Sequence, residues 1–230
     1  MAAPLDAFVA DLQAIFALRL HAVVLYGRQA VGPAAPGTPL HTLVTVSDLT
    51  VADLEACAGR ARHWRGDGLA IPLVMALGEL DRSLDAFPAE FSAIQAGYRV
   101  LFGPDPFDGL SVEAADLRRA CEVEARGHLL HLREGLIESG GDPAAMASLV
   151  EASAPALRAL LVNLARLDGM AESAPSAYAS ARLGDVHGRT LAGVVGFLES
   201  PVSATDAARD FARYLAAAEA LVSYVDQWHS

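Results

Sequence analysis

The pattern of apolar residues changes near residue 110, and this change limits what the chain can fold into. Before that point, segments of helical periodicity alternate with four short apolar runs, at residues 21–26, 40–46, 68–76 and 98–103. Short apolar runs bounded by Gly and Pro are typical of buried strands. Beyond residue 110 only amphipathic helical patterns remain. The sequence therefore predicts an α/β (α+β) protein with a small mixed-sheet domain at 1–110 and an up-and-down four-helix bundle at 111–230.

Turn and cap residues predict where several elements of the first domain begin and end. Residues 27–39 hold three Gly and three Pro and are predicted to be loop. Asp48 or Thr50 can cap the next helix, and Pro72 should place its strand at a sheet edge or a bulge. A helical stretch is expected to break at Phe87–Pro88.

The second domain shows four helical segments. The first covers residues 112–138, and Asp142 followed by proline starts the second, which Pro155 should kink. The third covers 176–199, and Ser203 or Thr205 can cap the last.

The charged residues exclude several classes of function. The chain has 28 acidic and 17 basic residues, a formal net charge of −11, and every basic residue is arginine. Without lysine there is no P-loop and no Schiff-base chemistry. The negative charge also argues against broad nucleic-acid binding, which needs cationic surface.

The expected location is the cytoplasm. We find no run of about 18 uncharged apolar residues, which a membrane-spanning helix would require, and no secretory signal at the start. Cys57 and Cys121 lack metal or redox spacing and are predicted to be free buried thiols.

Two segments of the first domain carry a resemblance to a known family. The segment LHAVVLYGRQAVG, followed by a loop and LHTLVTV, resembles the nucleotidyltransferase superfamily with the DNA polymerase β-like fold. The segments DAFPAEFSAIQAGYRVLFGPDPFDGL and DLRRACEVEARGHLLHLREG are similar to a bacterial subgroup in which this domain precedes a helical one. The resemblance covers most of the chain and implies that fold.

The resemblance also implies where a catalytic site would lie. In this superfamily a Gly-Ser turn approaches the triphosphate, and an Asp-x-Asp pair on the next strand shares Mg²⁺ ions. Here Gly27 is kept and Arg28 replaces the serine, while the acid positions hold Leu40 and Thr42. Residues 20–47 contain no Asp or Glu, and the strand at 69–76 lacks the expected third acid. Mg²⁺ normally requires carboxylate ligands, so the sequence predicts the fold without the catalysis and without a cofactor.

Three functions follow as hypotheses. The first is a catalytically inactive nucleotidyltransferase-like protein that binds a ligand, such as a nucleotide, or a protein in the cleft between its domains. Gly27, Arg28 and Gln29 are its candidate binding residues, because an arginine at the phosphate turn can hold an anion. The second is an active transferase that uses Mg²⁺ and a nucleoside triphosphate with unconventional ligands. The third is a structural or regulatory interaction protein with no ligand.

Two features of the helical domain have a functional alternative to core packing. Glu124, His128 and His131 share one helical face and could bind a metal if Asp185 and His187 complemented them. Packing of the histidines near the core is the alternative. The last helix has a wide apolar stripe, at Phe211, Tyr214, Leu215, Ala218, Leu221, Val222 and Val225, which predicts core packing or a homodimer.

Overall fold

The computed structural model describes residues 2–32, 37–170, 174–196 and 204–227, and of residues 2–3, 204–205 and 207–208 the backbone alone. The chain forms two compact units, Met1–Glu113 and Ala114–Ser230. The described residues of the first unit form helices around a small sheet, and those of the second are helical.

The first unit holds a four-stranded mixed sheet with strand order β3-β2-β1-β4. Strand β1 pairs antiparallel with both β2 and β4, and β2 pairs parallel with β3. In chain order its elements are α1 Ala2–Phe16, a 3₁₀ turn Ala17–Arg19, β1 Leu20–Tyr26, α2 Arg28–Val31, β2 His41–Val46, α3 Val51–Gly66, β3 Leu73–Ala76, α4 Leu77–Ala86, α5 Pro88–Gln95 and β4 Tyr98–Phe102.

Each face of the sheet is covered by a separate apolar cluster. Because side chains alternate along a strand, Val23 and Leu25 of β1 point to one face and Val24 to the other. The first face packs against α1 and α3, where Phe8 meets Trp64 edge to face with ring centroids 5.0 Å apart. The second face packs against α4, α5 and Phe107.

Local sequence signals account for the ends of these elements. Thr50, rather than Asp48, caps α3: its hydroxyl accepts from the Asp53 N–H in a capping box. Strand β3 follows Pro72 and lies at the sheet edge, as predicted, and Phe87–Pro88 separates α4 from α5. The prediction of loop throughout 27–39 was wrong for residues 28–31, which form the short helix α2.

The described residues of the second unit form a bundle of four helices, namely α6 Ala114–Glu138, α7 Pro143–Leu167, α8 Pro175–Gly196 and α9 Ala204–Asp226. Asp142 caps α7 by accepting from the Ala145 N–H, and α7 continues through Pro155. The cap proposed at Ser203 lies outside the described residues, as does the side chain of Thr205.

Helix α9 packs against all three other helices of the bundle. Phe211, Tyr214 and Leu221 are each at most 2% exposed. Core packing therefore accounts for these residues of the α9 stripe, and the homodimer stays a prediction.

Helix α8 contains a sharp break that the sequence did not predict. Gly184 has φ 72° and ψ −178°, which ends the helical path between residues 175–183 and 185–196. Beyond it, Gly188 comes so near the first segment that an added Cβ would lie 2.5 Å from the Ala179 carbonyl oxygen. Residues nine apart in a straight helix are separated by about 13 Å, so the two segments fold back on one another.

Helix α7 is also long and apolar enough to cross a membrane by composition alone. It packs against α6, α8 and α9, and Ala154, Leu157 and Leu161 are fully buried. Its apolar character is accounted for by its place in the bundle core.

Candidate functional site

The turn after β1 is built around Gly27. This residue has φ 82°, a conformation that residues with a Cβ rarely adopt, and its N–H donates to the Gly97 carbonyl at 2.9 Å. Helix α2 begins immediately afterwards, with the Ala30 N–H donating to the Gly27 carbonyl at 2.9 Å. The turn thus places Arg28 and Gln29 just beyond the end of β1.

Arg28 and Gln29 have opposite environments. The Arg28 side chain is exposed, and no described residue pairs with its guanidinium. Gln29 is 6% exposed, and its Nε2 donates to the Thr38 carbonyl at 2.7 Å. Of the pair, Arg28 can therefore reach a ligand from solvent, whereas Gln29 ties α2 to the segment before β2.

The two positions expected to carry catalytic acids lie inside the protein. Leu40 is 7% exposed and Thr42 is 1% exposed. Leu40 bridges to Leu69 on the parallel side, and Thr42 lies opposite Leu25 on the antiparallel side. Residues 69–76, where the third acid would be expected, are apolar throughout. A carboxylate at either position would be desolvated among apolar neighbours, which costs several kcal/mol.

Two buried polar atoms near this end of the sheet have no hydrogen-bond partner among the described residues. They are the Thr42 Oγ1 and the Gln29 Oε1. Most buried polar groups in proteins are hydrogen-bonded, so each of these atoms costs free energy where it stands.

Strand pairing adds two residues that the sequence did not single out. Tyr26 and His41 are cross-strand partners at the ends of β1 and β2, with ring centroids 5.8 Å apart. Tyr26 is half-buried, which raises the pKa of its hydroxyl, while His41 is exposed. Their positions follow from the β1–β2 register. This register could not be predicted from the sequence, because a long loop joins the two strands.

The acids that follow β2 in the chain, Asp48 and Asp53, pair with Arg19 and lie away from the Gly27 turn. Arg19 holds Asp53 through two hydrogen bonds, of 2.7 Å and 2.6 Å, and pairs with Asp48 at 3.5 Å. This ion pair keeps the pKa of Asp53 far below its ordinary value. Arg19 precedes β1 and Asp48 follows β2, so the cluster lies at the opposite end of these antiparallel strands from Gly27.

The structure does not form the alternative metal site on α6. Within the described ranges, no group of three or more His, Cys, Asp or Glu side chains could hold a metal ion. The His128 Nε2 lies 2.7 Å from the Tyr214 hydroxyl, and His131 pairs with Glu134 at 3.4 Å. Asp185 pairs with Arg189 within α8 at 3.8 Å. Glu124, His128 and His131 share a helix, but packing rather than a metal accounts for His128.

A chain of hydrogen bonds fixes the tautomer of His128. The Ser153 hydroxyl donates to the Val150 carbonyl at 2.8 Å, so Tyr214 must donate in the 2.9 Å bond to Ser153. The Tyr214 oxygen then accepts from His128, which requires the proton on Nε2. Burial, and secondarily the charge of His131, lower the pKa of His128 to about 4. This histidine is therefore neutral at neutral pH.

Comparison with known proteins identifies the fold. No family model matches the sequence, and no curated protein matches it. Among solved structures, the chain is similar to spectinomycin adenyltransferase from Enterococcus faecialis, a structure with ATP and spectinomycin. The TM-score is 0.60 at 12% sequence identity, and the match covers 99% of this chain and 100% of that one.

This likeness confirms the predicted fold: a nucleotidyltransferase-like α+β domain with a small mixed sheet, followed by a helical domain.

Proposed function

We propose that this protein is a nucleotidyltransferase-like protein that transfers no nucleotide and acts by binding a phosphate-bearing small molecule beside Arg28. The observation that supports the loss of catalysis is that positions 40 and 42 are buried and carry no acid. They hold Leu40 and Thr42, which are 7% and 1% exposed, and residues 20–47 contain no acid. Divalent cations that assist nucleotidyl transfer need oxygen ligands that reach the substrate.

Arg28 supports the proposal that an anion binds. It follows directly on the glycine turn, it is exposed, and no described residue neutralises it. A guanidinium presents a planar fork of donors that matches phosphate oxygens. Residues 20–47 contain no Asp or Glu, and no three His, Cys, Asp or Glu side chains in the described part of the chain could hold a metal ion, so we expect Arg28 to meet the ligand's negative charge without a divalent cation.

Binding without a divalent cation separates this function from its alternatives. We expect ATP in the presence of EDTA to raise the thermal midpoint of the protein, and added Mg²⁺ to leave the shift unchanged or reduce it. Stabilisation follows RT ln(1 + [L]/Kd), about 2.7 kcal/mol at a hundredfold excess of ligand over Kd.

The Arg28→Ala variant should lose that shift, whereas Arg62→Ala should retain it. Arg62 is a matched control, since it is also an exposed arginine of the first unit without a described ion pair. No shift with ATP, ADP or inorganic phosphate would refute the binding proposal and favour an interaction protein without a ligand. A shift that requires Mg²⁺ would instead favour the active-transferase alternative.

A further inference from the structure

Helix α6 has an apolar stripe on the side opposite the bundle core. Its buried residues, Leu117, Cys121, Ala125, Leu129 and Leu132, face α7 and α9. On the other side Val123 is 68% exposed, Leu130 is 55% exposed and Ile137 is 80% exposed. These three residues are seven apart, so they lie in one line along the 25-residue helix.

The residues around the stripe follow a coiled-coil heptad. If Val123, Leu130 and Ile137 are d positions, the a positions hold Ala120, Gly127 and Glu134. The g positions are then all arginine, at Arg119, Arg126 and Arg133, and the e positions hold Glu124, His131 and Glu138. One flank of the stripe is therefore basic and the other is largely acidic.

From this arrangement we propose that α6 is a self-association surface and that its occupant is α6 of a second copy, parallel and in register. In a parallel pair each g residue faces the e residue five positions later in the other helix, which sets Arg119 against Glu124 and Arg133 against Glu138. An antiparallel pair would set the arginine flanks against each other. The distribution of charge thus selects both a second copy as the partner and the parallel orientation.

The arginines remain able to make these contacts. Arg126 bonds Glu122 at 3.1 Å and Asp226 at 2.7 Å, and Arg133 bonds Glu219 at 2.8 Å. A guanidinium has five N–H donors, so a second or third carboxylate can be accommodated. The side chains of Arg126 and Arg133 are 51% and 48% exposed.

The dimer should be weak. Two of the a positions are small, and the third would oppose Glu134 of one copy to the same residue of the other. Three large side chains per helix bury less than the roughly 1,200 Å² at which stable interfaces begin. We therefore expect a monomer–dimer equilibrium that depends on concentration.

Sedimentation velocity of the full chain over a wide concentration range tests the proposal. The wild type should show reversible dimers, Leu130→Glu should remove them, and Glu134→Leu should lower the dissociation constant about tenfold by filling an a position with an apolar side chain. Val186→Glu is the matched control: Val186 is an exposed apolar residue of α8, and this change should leave the equilibrium unaltered.

Charge reversal and cross-linking test the register. Glu138→Arg should weaken the dimer, and adding Arg133→Glu should restore it. Under mild oxidation Ile137→Cys should form a disulfide-linked dimer, because d positions of parallel helices meet; Cys57 and Cys121 are buried. Circular dichroism checks that each variant remains folded. A wild type that is monomeric throughout, association that survives Leu130→Glu, or cross-linking only between separate Val123→Cys and Ile137→Cys chains would overturn the proposal.

Discussion

At the scale of single residues, position 42 bears most directly on the proposed loss of catalysis. The Thr42 hydroxyl has no hydrogen-bond partner among the described residues, although the residue is 1% exposed. Thr42 lies opposite Leu25 in the strand register and does not reach the solvent, so its unpaired hydroxyl carries a desolvation cost.

Replacing Thr42 with valine should therefore stabilise the protein. The change keeps the shape of the side chain and removes a buried unpaired hydroxyl, so we expect the free energy of unfolding to rise by about 1 kcal/mol. Urea denaturation measures it. Thr45→Val is the control on the same strand: Thr45 is also buried, but its hydroxyl lies 3.4 Å from the His21 Nδ1, and its loss should destabilise. A lower stability for Thr42→Val would show that the hydroxyl has a partner.

A second prediction concerns the pH dependence of stability and follows from the burial of His128. Its pKa is lowered to about 4 in the folded protein from an ordinary value of 6.5. Between these values the unfolded chain binds a proton that the folded chain does not, so stability should fall as pH decreases from about 6.5 to about 4. The full loss is about 3 kcal/mol.

Denaturation at a series of pH values checks this, with His128→Gln as the comparison. Glutamine can still donate to Tyr214 but does not titrate, so the variant should lose most of the slope in that interval. Asp53 also stabilises the folded protein, because its pKa is depressed there. That stabilisation is lost only at pH values below the ordinary carboxyl pKa, and therefore below the interval in which His128 acts. A wild-type profile that matches that of His128→Gln would contradict the assignment.

At the scale of elements, the folded-back arrangement of helix α8 depends on close contact between Gly188 and the backbone of the first helical segment. Gly188 is buried against Ala179 and Ser180, and an added Cβ would come within 2.5 Å of backbone atoms of both. Backbone cannot move aside as a flexible side chain can, so Gly188→Ala should destabilise the bundle by about 1–3 kcal/mol.

Gly193 supplies the matched control, since it is an exposed glycine of the same helix with nothing within 4 Å of an added Cβ. Gly193→Ala should be neutral or stabilise by up to about 1 kcal/mol through helix propensity. Thermal denaturation of the two variants compares them directly. Equal effects would mean that the two segments of α8 do not fold back as described.

The elements also show what the sequence could predict and what it could not. The strands, the break at Phe87–Pro88 and the Asp142 cap were predictable because period, proline and cap chemistry are local. The turn of helix at α2 and the break at Gly184 were not. A glycine within a helical pattern is usually tolerated, and α2 depends on the φ of Gly27 and on a bond to Gly97, seventy residues away in the chain.

The same division applies to the candidate site. The absence of acids at Leu40 and Thr42 was visible in the sequence, whereas their burial and the Tyr26–His41 contact depend on strand register. The Ser153–Tyr214–His128 chain joins three helices, and only tertiary packing could reveal it.

At the scale of the whole molecule, the likeness in fold is accompanied by little likeness in sequence. The chain matches spectinomycin adenyltransferase over 99% of its length with a TM-score of 0.60, yet shares 12% of its sequence. Its 28 acids lie outside residues 20–47, the segment in which the resemblance to nucleotidyltransferases places the metal-binding acids, and this supports the proposed loss of catalysis. Architecture can persist while the residues of a site change, because the core packing that maintains the fold does not require catalytic carboxylates.

The loss of nucleotidyl transfer is the central claim, and pyrophosphate release tests it most directly. The protein would be incubated with α-labelled ATP, Mg²⁺ or Mn²⁺, and acceptors that include spectinomycin, with spectinomycin adenyltransferase as the positive control. We predict no acceptor-dependent pyrophosphate and no labelled product. Acceptor-dependent release of pyrophosphate, together with a labelled acceptor and loss of both on adding EDTA, would contradict the account.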